Sequence, residues 1–419
     1  MHKAPRGTFD ILPEEHAYWK YVEEKAAALC QLYDYRPLST PIFEDAQIFT
    51  KTVAGGTDIV DKEMYIFEDK SGQELALRAE GTAPVCRAYL EHGLFNLPQP
   101  VKLYYIGPAF RYERPQSGRY RQHHQFGFEA LGEADPALDA EVVEMASHFF
   151  HSLGLSQFII QLNSIGCKVC RPGYLEVLKR HYSEYIGRLC PDCKVRLVKN
   201  PLRLLDCKKT ACQEIAETAP QITDYLCPEC QLHFQSVQEY LGVMGIPFRL
   251  NPGLVRGLDY YTRTVFEVEP QANGGQSALG GGGRYDDLIE QLGGKPTPAV
   301  GFATGLERII LNLKKQKLDI PALPRPYVFI AYLSGEAKTE AIKLASELRE
   351  VGTAVIMATG DKSLKGQLRQ ADSLGTCYAL ILGEQEISQR NVMWRDMRSG
   401  EQKTIPLSEI ARFLEQLRI

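Results

Sequence analysis

The sequence predicts an α+β protein: an antiparallel sheet flanked by helices, interrupted by a cysteine-rich insertion and followed by a small α/β domain. Three observations predict it. Stretches 74–80, 101–113, 125–132 and 262–269 alternate polar and apolar side chains with the period of two that marks a half-buried strand. Eight of the 11 cysteines crowd between Cys167 and Cys230. Beyond Pro326, strand and helix patterns follow one another in turn. A chain of 419 residues is long enough for roughly three domains.

In chain order, residues 13–32 read as a helix, and 35–44 as a short extended stretch bounded by Pro37 and Pro41. The four alternating stretches supply the sheet. Between 164 and about 246 the texture changes to cysteine pairs separated by helical stretches such as 174–188, which reads as an insertion. The Gly280–Gly283 run reads as a flexible turn. Residues 301–310 start a helix on which Leu306, Ile309, Ile310 and Leu313 share one face, so Arg308 projects elsewhere. The proline-rich stretch 321–326 reads as a stiff linker, and 327–332, 339–349, 354–357, 364–374 and 378–382 alternate strand with helix. The expected organisation is therefore 1–163, first part of the main domain; 164–246, insertion; 247–320, second part of the main domain; and 327–419, the small domain.

Composition narrows the function. Hydrophobic residues at 44% and charged residues at 24% are ordinary globular usage. Forty-eight basic against 52 acidic side chains leave a net charge of −4, which excludes a polybasic protein held to nucleic acid by bulk charge, so any such contact must be local. No run of eighteen apolar residues occurs and the first residues lack the apolar core of a signal peptide. The expectation is a cytoplasmic chain that does not engage a membrane.

On a strand, Gln125, Gly127 and Glu129 face one way and Phe126, Phe128 and Ala130 the other, so the aromatic face packs and the polar face meets a ligand. The same alternation pairs Arg111 with Glu113 and Arg78 with Glu80. Between two of these strands lies a hairpin loop carrying Arg111, Arg114, Arg119 and Arg121. Guanidinium groups grip phosphates bidentately and stack on adenine, so ATP or a nucleic-acid end is a natural partner; a solvated charged hairpin is the alternative. No P-loop, no Gly-x-Ser-x-Gly elbow and no His-Glu-x-x-His helix is present. A nucleotide site in this chain must use arginines and a sheet.

The cysteines fall into four pairs: Cys167 with Cys170, Cys190 with Cys193, Cys207 with Cys212, and Cys227 with Cys230. This spacing suits two four-thiolate zinc sites, with free thiols or a redox disulfide set as the alternative, and it leaves open which pairs share a metal.

Several motifs carry a resemblance. They are Arg6-Gly-Thr-x-Asp10 with Leu12-Pro13, residues 38–44 with Pro41, Phe110-Arg-Tyr-Glu113 with its loop through Arg121, and Gly305-Leu-Glu-Arg308. Two longer signatures accompany them, Leu254-Val-Arg-Gly-Leu-Asp-Tyr-Tyr-Thr262 and Gly281-Gly-Gly-Arg-Tyr-Asp286. Along nearly its whole length the chain resembles the histidyl-tRNA synthetases, which are class II aminoacyl-tRNA synthetases. Ala79 stands where that family usually has proline, and many members lack the cysteine insertion.

The resemblance implies a class II antiparallel sheet, a C-terminal anticodon-binding domain and a homodimer formed through the first class motif. It implies ATP-dependent activation of L-histidine to histidyl-adenylate and transfer to the 3′ end of tRNA(His), with ATP and Mg²⁺ entering as substrate. Arg111, Glu113, Arg121 and Arg308 would hold ATP. Glu80, Thr82, Arg111, Gln125, Glu129, Arg256, Tyr260 and Tyr261 would surround histidine. Arg256, Arg111 and Arg308 would be catalytic, with Arg256 a fixed cation at the α-phosphate. Arg114, Gln116 and Arg119 would meet tRNA. A catalytically silent regulatory paralogue of histidine biosynthesis is the alternative, and such paralogues typically lose the Arg256 signature and the C-terminal domain, both present here. Because all eight cysteines lie outside the stretches that bear the ATP and histidine residues, metal loss is expected to unfold the insertion and spare adenylation.

Overall fold

In the computed structural model, which describes residues 2–50, 63–114, 118–271, 278–323, 325–360 and 362–417, the chain divides into two units, 1–321 and 322–419. The first unit opens with α1 (His16–Leu32), which buries Trp19, Val22, Ala26, Leu29 and Cys30 along one stripe. Then come β1 (Arg36–Pro37), β2 (Phe43–Asp45), α2 (Gln47–Thr50), β3 (Ile66–Glu68), β4 (Glu74–Leu77) and α3 (Thr82–Glu91). The long hairpin β5 (Val101–Phe110) and β6 (Gln122–Leu131) follows, then α4 (Pro136–Ser152) and β7 (Phe158–Ser164). The insertion supplies α5 (Arg171–Glu184), α6 (Pro191–Lys199), α7 (Thr210–Glu217) and α8 (Pro228–Val243). The unit closes with β8 (Phe248–Leu250), β9 (Thr262–Pro270), β10 (Gly280–Arg284), α9 (Leu288–Gln291), β11 (Ala299–Gly305) and α10 (Leu306–Lys315).

Eight strands form one sheet in the order β1-β5-β6-β11-β10-β9-β7-β8, antiparallel through the middle and parallel only at the edge pairs β1/β5 and β7/β8. A second, three-stranded sheet runs β2-β4-β3. Alternation on β6 sends Phe126 and Phe128 to one face, where they meet Phe149 and Phe150 of α4, Phe266 of β9 and Phe302 of β11, all buried. The Phe126 and Phe149 rings lie 4.8 Å apart, a tilted contact of the kind aromatic pairs favour. Asp135 caps α4 by accepting from the Ala137 amide, and Pro136 fits the first helical position, where no amide is needed.

Two local expectations are corrected. The Gly280–Gly283 run is no turn: it is most of β10, a central strand between β9 and β11. A Cβ on Gly282 would stand 2.0 Å from the Gly301 carbonyl oxygen, so these glycines mark close backbone approach instead of a bend. The strand at 74–80 stops at Leu77, and Arg78 turns into the chain beside it, donating from Nε to Pro108 O at 2.6 Å and from Nη1 to Thr40 O at 3.0 Å. Arg78 and Glu80 therefore do not form a pair on one face.

The insertion buries Tyr174, Leu178, Tyr182, Leu197 and Ile215 in the same apolar cluster as Tyr105 of β5, Val265 of β9 and Tyr285 after β10. Insertion and sheet thus share a core. Helix α8 adds Phe234, Val237 and Leu241 to the cluster on the α4 face.

The second unit contains β12 (Val328–Tyr332), α11 (Gly335–Glu350), β13 (Val355–Met357), α12 (Leu364–Ser373), β14 (Tyr378–Leu382), α13 (Glu384–Ser388), β15 (Asn391–Asp396), β16 (Gln402–Pro406) and α14 (Ile410–Gln416). Its sheet order is β13-β12-β14-β15-β16, with β12, β13 and β14 parallel and β15 and β16 antiparallel. Val328, Phe329, Ile330, Leu344, Leu380 and Leu382 centre its core. No helix among the described residues is long and apolar enough to cross a membrane.

Candidate active site

A cavity of about 640 Å³ opens on the polar face of the large sheet. Strand β6 sets its floor: His123 and Gln125 line it, and Gln125 Oε1 accepts from the Gly81 amide at 2.9 Å. Glu80 sits at the start of α3 and accepts from the amides of Thr82 (2.6 Å) and Ala83 (2.9 Å), filling donors that a helix N-terminus leaves open. Burial raises the Glu80 pKa, and those amides oppose the rise.

Glu129 lies one layer deeper. It is 1% exposed and does not line the open cavity; its carboxylate accepts from Thr82 Oγ1 at 2.7 Å and from the Tyr285 hydroxyl at 2.5 Å. Burial pushes its pKa up to about 8 against the pull of the Tyr285 and Thr82 hydrogen bonds, and the Glu80 charge adds to the rise. Space for the carboxylate comes from Gly301, where a Cβ would stand 1.7 Å from Glu129 Oε2. Tyr260 and Tyr261, with ring centroids 4.8 Å apart, form a wall, and Tyr285 packs behind Tyr260 at 5.7 Å.

Three arginines from three separate elements face the same space. Arg111, just after β5, is anchored by Nε to Ala79 O at 2.9 Å. Arg308, on the polar side of α10, donates to Ala278 O at 2.5 Å, while Leu306, Ile309, Ile310 and Leu313 are buried. Arg256, in the loop before β9, pairs with Glu267, and its buried Nε finds no acceptor among the described residues. Burial pulls the Arg256 pKa down, but the Glu267 carboxylate together with Tyr261 and Tyr260 outweighs it, and the net shift is upward. Its Nη1 lies 2.7 Å from where a Cβ on Gly281 would stand, so glycine at that position clears its seat. Glu307 does not face a ligand alone: it accepts from the His124 amide at 2.8 Å and sits 2.9 Å from His124 Nδ1, tying α10 to β6. The His123 pKa is pushed down to about 3 by burial first and then by Arg111, His124 and Arg308, so its imidazole is neutral among cations.

Of the residues singled out in the sequence, Glu80, Thr82, Arg111, Glu113, Arg119, Gln125, Arg256, Tyr260, Tyr261 and Arg308 line this cavity together. Arg119 is exposed at the rim, with Glu113 3.5 Å away. Arg114 is exposed and outside the lining, and Gln116 lies outside the described residues. Arg121 is not brought to the cavity: its guanidinium stacks on Tyr112 at 3.8 Å and its amide donates to Gly7 O. Sequence reasoning missed His123, which shares the alternation of Gln125, and Glu267 and Glu269 of β9. Nor did it bring to the cavity Asp206 and Lys208, an ion pair at 2.8 Å that lines it on either side of Cys207 in the chain.

The structure pairs the cysteines. Cys167 and Cys170 meet Cys227 and Cys230, and Cys190 and Cys193 meet Cys207 and Cys212, with all sulfurs of a group within 4.8 Å of one another. The second group therefore lies within the chain segment that the first encloses. Cys167 is 3.8 Å from Cys170 and 3.9 Å from Cys227, and Cys190 is 3.9 Å from Cys207. A disulfide needs about 2.05 Å, whereas four thiolates at ~2.3 Å around a tetrahedral ion stand close to 3.8 Å apart, so the donors fit zinc. Each group uses the same knuckle: Cys190-Pro-Asp-Cys193 and Cys227-Pro-Glu-Cys230 both put cysteine at the N-cap and proline at the first helical position. Val169 N donates to Cys167 Sγ at 3.4 Å and Cys190 N to Cys212 Sγ at 3.4 Å, contacts that favour thiolates.

Comparison with known proteins decides the family. A histidyl-tRNA synthetase family model matches residues 7–168 and 205–309, and an anticodon binding domain model matches 327–417. This chain belongs to the histidyl-tRNA synthetase family. It is 57% identical to a histidine–tRNA ligase of Dehalococcoides mccartyi over 98% of each chain, and 47% identical to that of Natranaerobius thermophilus over 100% of this chain and 99% of the other. The crystal structure of the apo S. aureus histidyl-tRNA synthetase aligns over 99% of this chain and 100% of that one, with a TM-score of 0.84 and 38% identity. Residues 169–204, with Cys170, Cys190 and Cys193, fall outside the family model's match.

Proposed function

We infer that the chain is a histidine–tRNA ligase. The observation that carries this reading is the convergence of Arg111, Arg256 and Arg308 on one cavity whose other end offers Glu80, Thr82 and Gln125, with Glu129 beneath. The cationic end suits a triphosphate, and the acidic and hydroxyl end suits an ammonium and an imidazole.

In the first half-reaction the histidine carboxylate attacks the α-phosphorus of ATP, the bond to the β-phosphate oxygen breaks, and pyrophosphate leaves. Negative charge grows on the equatorial oxygens, and arginines already held by Ala79 O, Glu267 and Ala278 O stabilise it with little reorganisation. Arg111 and Arg308 grip the phosphates, Arg256 stands at the α-phosphate, and Glu113 takes the adenosine end, with Mg²⁺ arriving as part of the substrate. Glu80, Thr82, Gln125, Tyr260 and Tyr261 hold histidine, and Glu129 reads its imidazole. In the second half-reaction a terminal ribose hydroxyl of tRNA(His) attacks the histidyl carbonyl and AMP leaves. Arg114 and Arg119, at the exposed end of the hairpin, suit the acceptor end, as does Gln116 by its place between them in the sequence.

Three further features belong to the same reading. The two thiolate groups hold structural zinc, supported by the sulfur spacing and by four-thiolate closure, which leaves no position for substrate. The protein is a homodimer, supported by the exposed apolar patch Ile42, Phe43, Ile66 and Phe67 on the small sheet. Its working compartment is the reducing cytoplasm, where eight such thiols stay available to metal. Histidine-dependent ATP–pyrophosphate exchange by purified protein tests the activity. Exchange with another amino acid in preference, or with none added, overturns it.

A further inference from the structure

Arg256, Tyr260 and Tyr261 belong to a loop that does little to hold itself. Among the described residues, the one main-chain bond made by an amide between Leu254 and Tyr261 is Leu254 N to Asn251 O at 2.9 Å. What holds the loop comes largely from side chains, and three of these lie in the insertion. Arg171, next to Cys170, donates from Nη2 to Tyr261 O at 2.6 Å and from Nε to Ile165 O at 3.0 Å. Asn200, between Cys193 and Cys207, donates from Nδ2 to Asp259 Oδ1 at 2.7 Å. Arg203, in the same segment, donates from Nη1 to Arg256 O at 3.1 Å. On the sheet side, Asn163 of β7 holds Leu254 O at 3.0 Å.

One tether thus springs from beside Cys170 of the first cysteine group and two from the segment between Cys193 and Cys207 of the second, and together they land at 256, 259 and 261, in the loop that carries one of the cavity's cations and its aromatic wall. We propose that Arg171, Asn200 and Arg203 are positioning residues for activation, through which the insertion sets where Arg256 and Tyr261 stand. The insertion is in this sense a part of the active-site frame, and the state of its two thiolate groups governs the loop. This rests on the functional reading above.

The physical warrant is that a displacement of about 1 Å in a preorganised group can cost about a hundredfold in rate. A part-buried carbonyl that loses its charged donor has reason to move, and its residue moves with it. Met at 203 keeps the bulk of Arg and removes its donors, whereas Lys keeps one donor within reach. Purified Arg203→Met and Asn200→Ala proteins should lose roughly tenfold in kcat for histidine-dependent pyrophosphate exchange, with the ATP KM within about twofold of the parent. Arg203→Lys should recover most of the loss. A second readout does not depend on substrate: native-state tryptic cleavage after Arg256, followed by mass, should speed at least fivefold in Arg203→Met and return toward the parent rate in Arg203→Lys.

Cleavage and exchange both at parental values in Arg203→Met and Asn200→Ala overturn the proposal, as does a loss that Arg203→Lys shares in full. A parent protein that shows no histidine-dependent exchange overturns the functional reading instead, and the cleavage arm still reports on the tether.

Discussion

The β5–β6 hairpin and the cysteine-bearing insertion put residues into the same cavity by opposite means. The hairpin is paired without interruption from Val101 opposite Leu131 to Phe110 opposite Gln122, so His123 and Gln125 are aimed by a ladder of main-chain bonds. The insertion contributes no strand among the described residues. Its helices are gathered by two sulfur clusters, and it reaches the cavity through Arg171, Asn200 and Arg203 and through the Asp206–Lys208 pair. The hairpin's geometry is intrinsic to the backbone, whereas the insertion's rests on side chains: two clusters of four sulfurs and the core it shares with the sheet. Two halves of one site therefore answer to different chemistry.

The comparison can be broken at its centre by Arg256→Ala. Removing a preorganised cation costs about 3–4 kcal/mol, or 10²–10³ in kcat for pyrophosphate exchange, with the folded circular dichroism spectrum retained because Arg256 lies in a loop and Glu267, its partner on β9, keeps its main-chain pairing. Next in size is metal removal. The sequence alone predicts that adenylation survives chelation; the shared core and the three tethers predict instead a fall of roughly tenfold or more. Metal analysis of reduced protein, expected at about two zinc ions per chain, followed by exchange assays after chelation, checks it.

Glu129→Gln probes the floor. The Glu129 pKa rises from 4.5 in the unfolded chain to about 8 in the fold, so between those pH values the folded state keeps a proton that the unfolded state has released. Stability therefore drains as pH rises through that window. Gln, which never ionises, should stabilise the free protein by on the order of 2–4 kcal/mol at pH 8 and hardly at pH 4, read as thermal midpoints. The same variant should raise the histidine KM far more than the ATP KM. The smallest effect on activation is expected from deleting residues 326–419, which leaves pyrophosphate exchange within about threefold while charging of tRNA collapses. Equal loss of both activities breaks that division.

Much of the site was legible in the sequence, for reasons the strands explain. Alternation fixes which face a residue joins, so Gln125 and Glu129 were separable from Phe126 and Phe128 before any coordinates. It says nothing of depth, and Glu129 stands behind Thr82 while Gln125 stands in the open cavity. Glycine at Gly280–Gly283 carries the same local signal for a turn as for strands that touch, and only the neighbouring Gly301 backbone tells them apart. That Asp206 and Lys208 stand at the cavity beside Glu267 and Glu269 left no sequence signal, because tertiary packing sets their approach. Four cysteine pairs combine into two groups of four in three ways, and spacing along the chain cannot choose among them.

The way the two sulfur groups are nested imposes an order of assembly. The inner clasp joins Cys193 to Cys207 and the outer joins Cys170 to Cys227, a roughly fourfold longer span whose closure costs about 1.2 kcal/mol more in chain entropy. During synthesis the inner four thiols have all been made before Cys227 appears, so the inner clasp can fasten while the outer still waits for half its ligands. With zinc in both groups as proposed, scarce metal is expected to give a half-loaded protein in which Asn200 and Arg203 are seated and Arg171 is not, a graded response that the backbone ladder of the hairpin has no means to give.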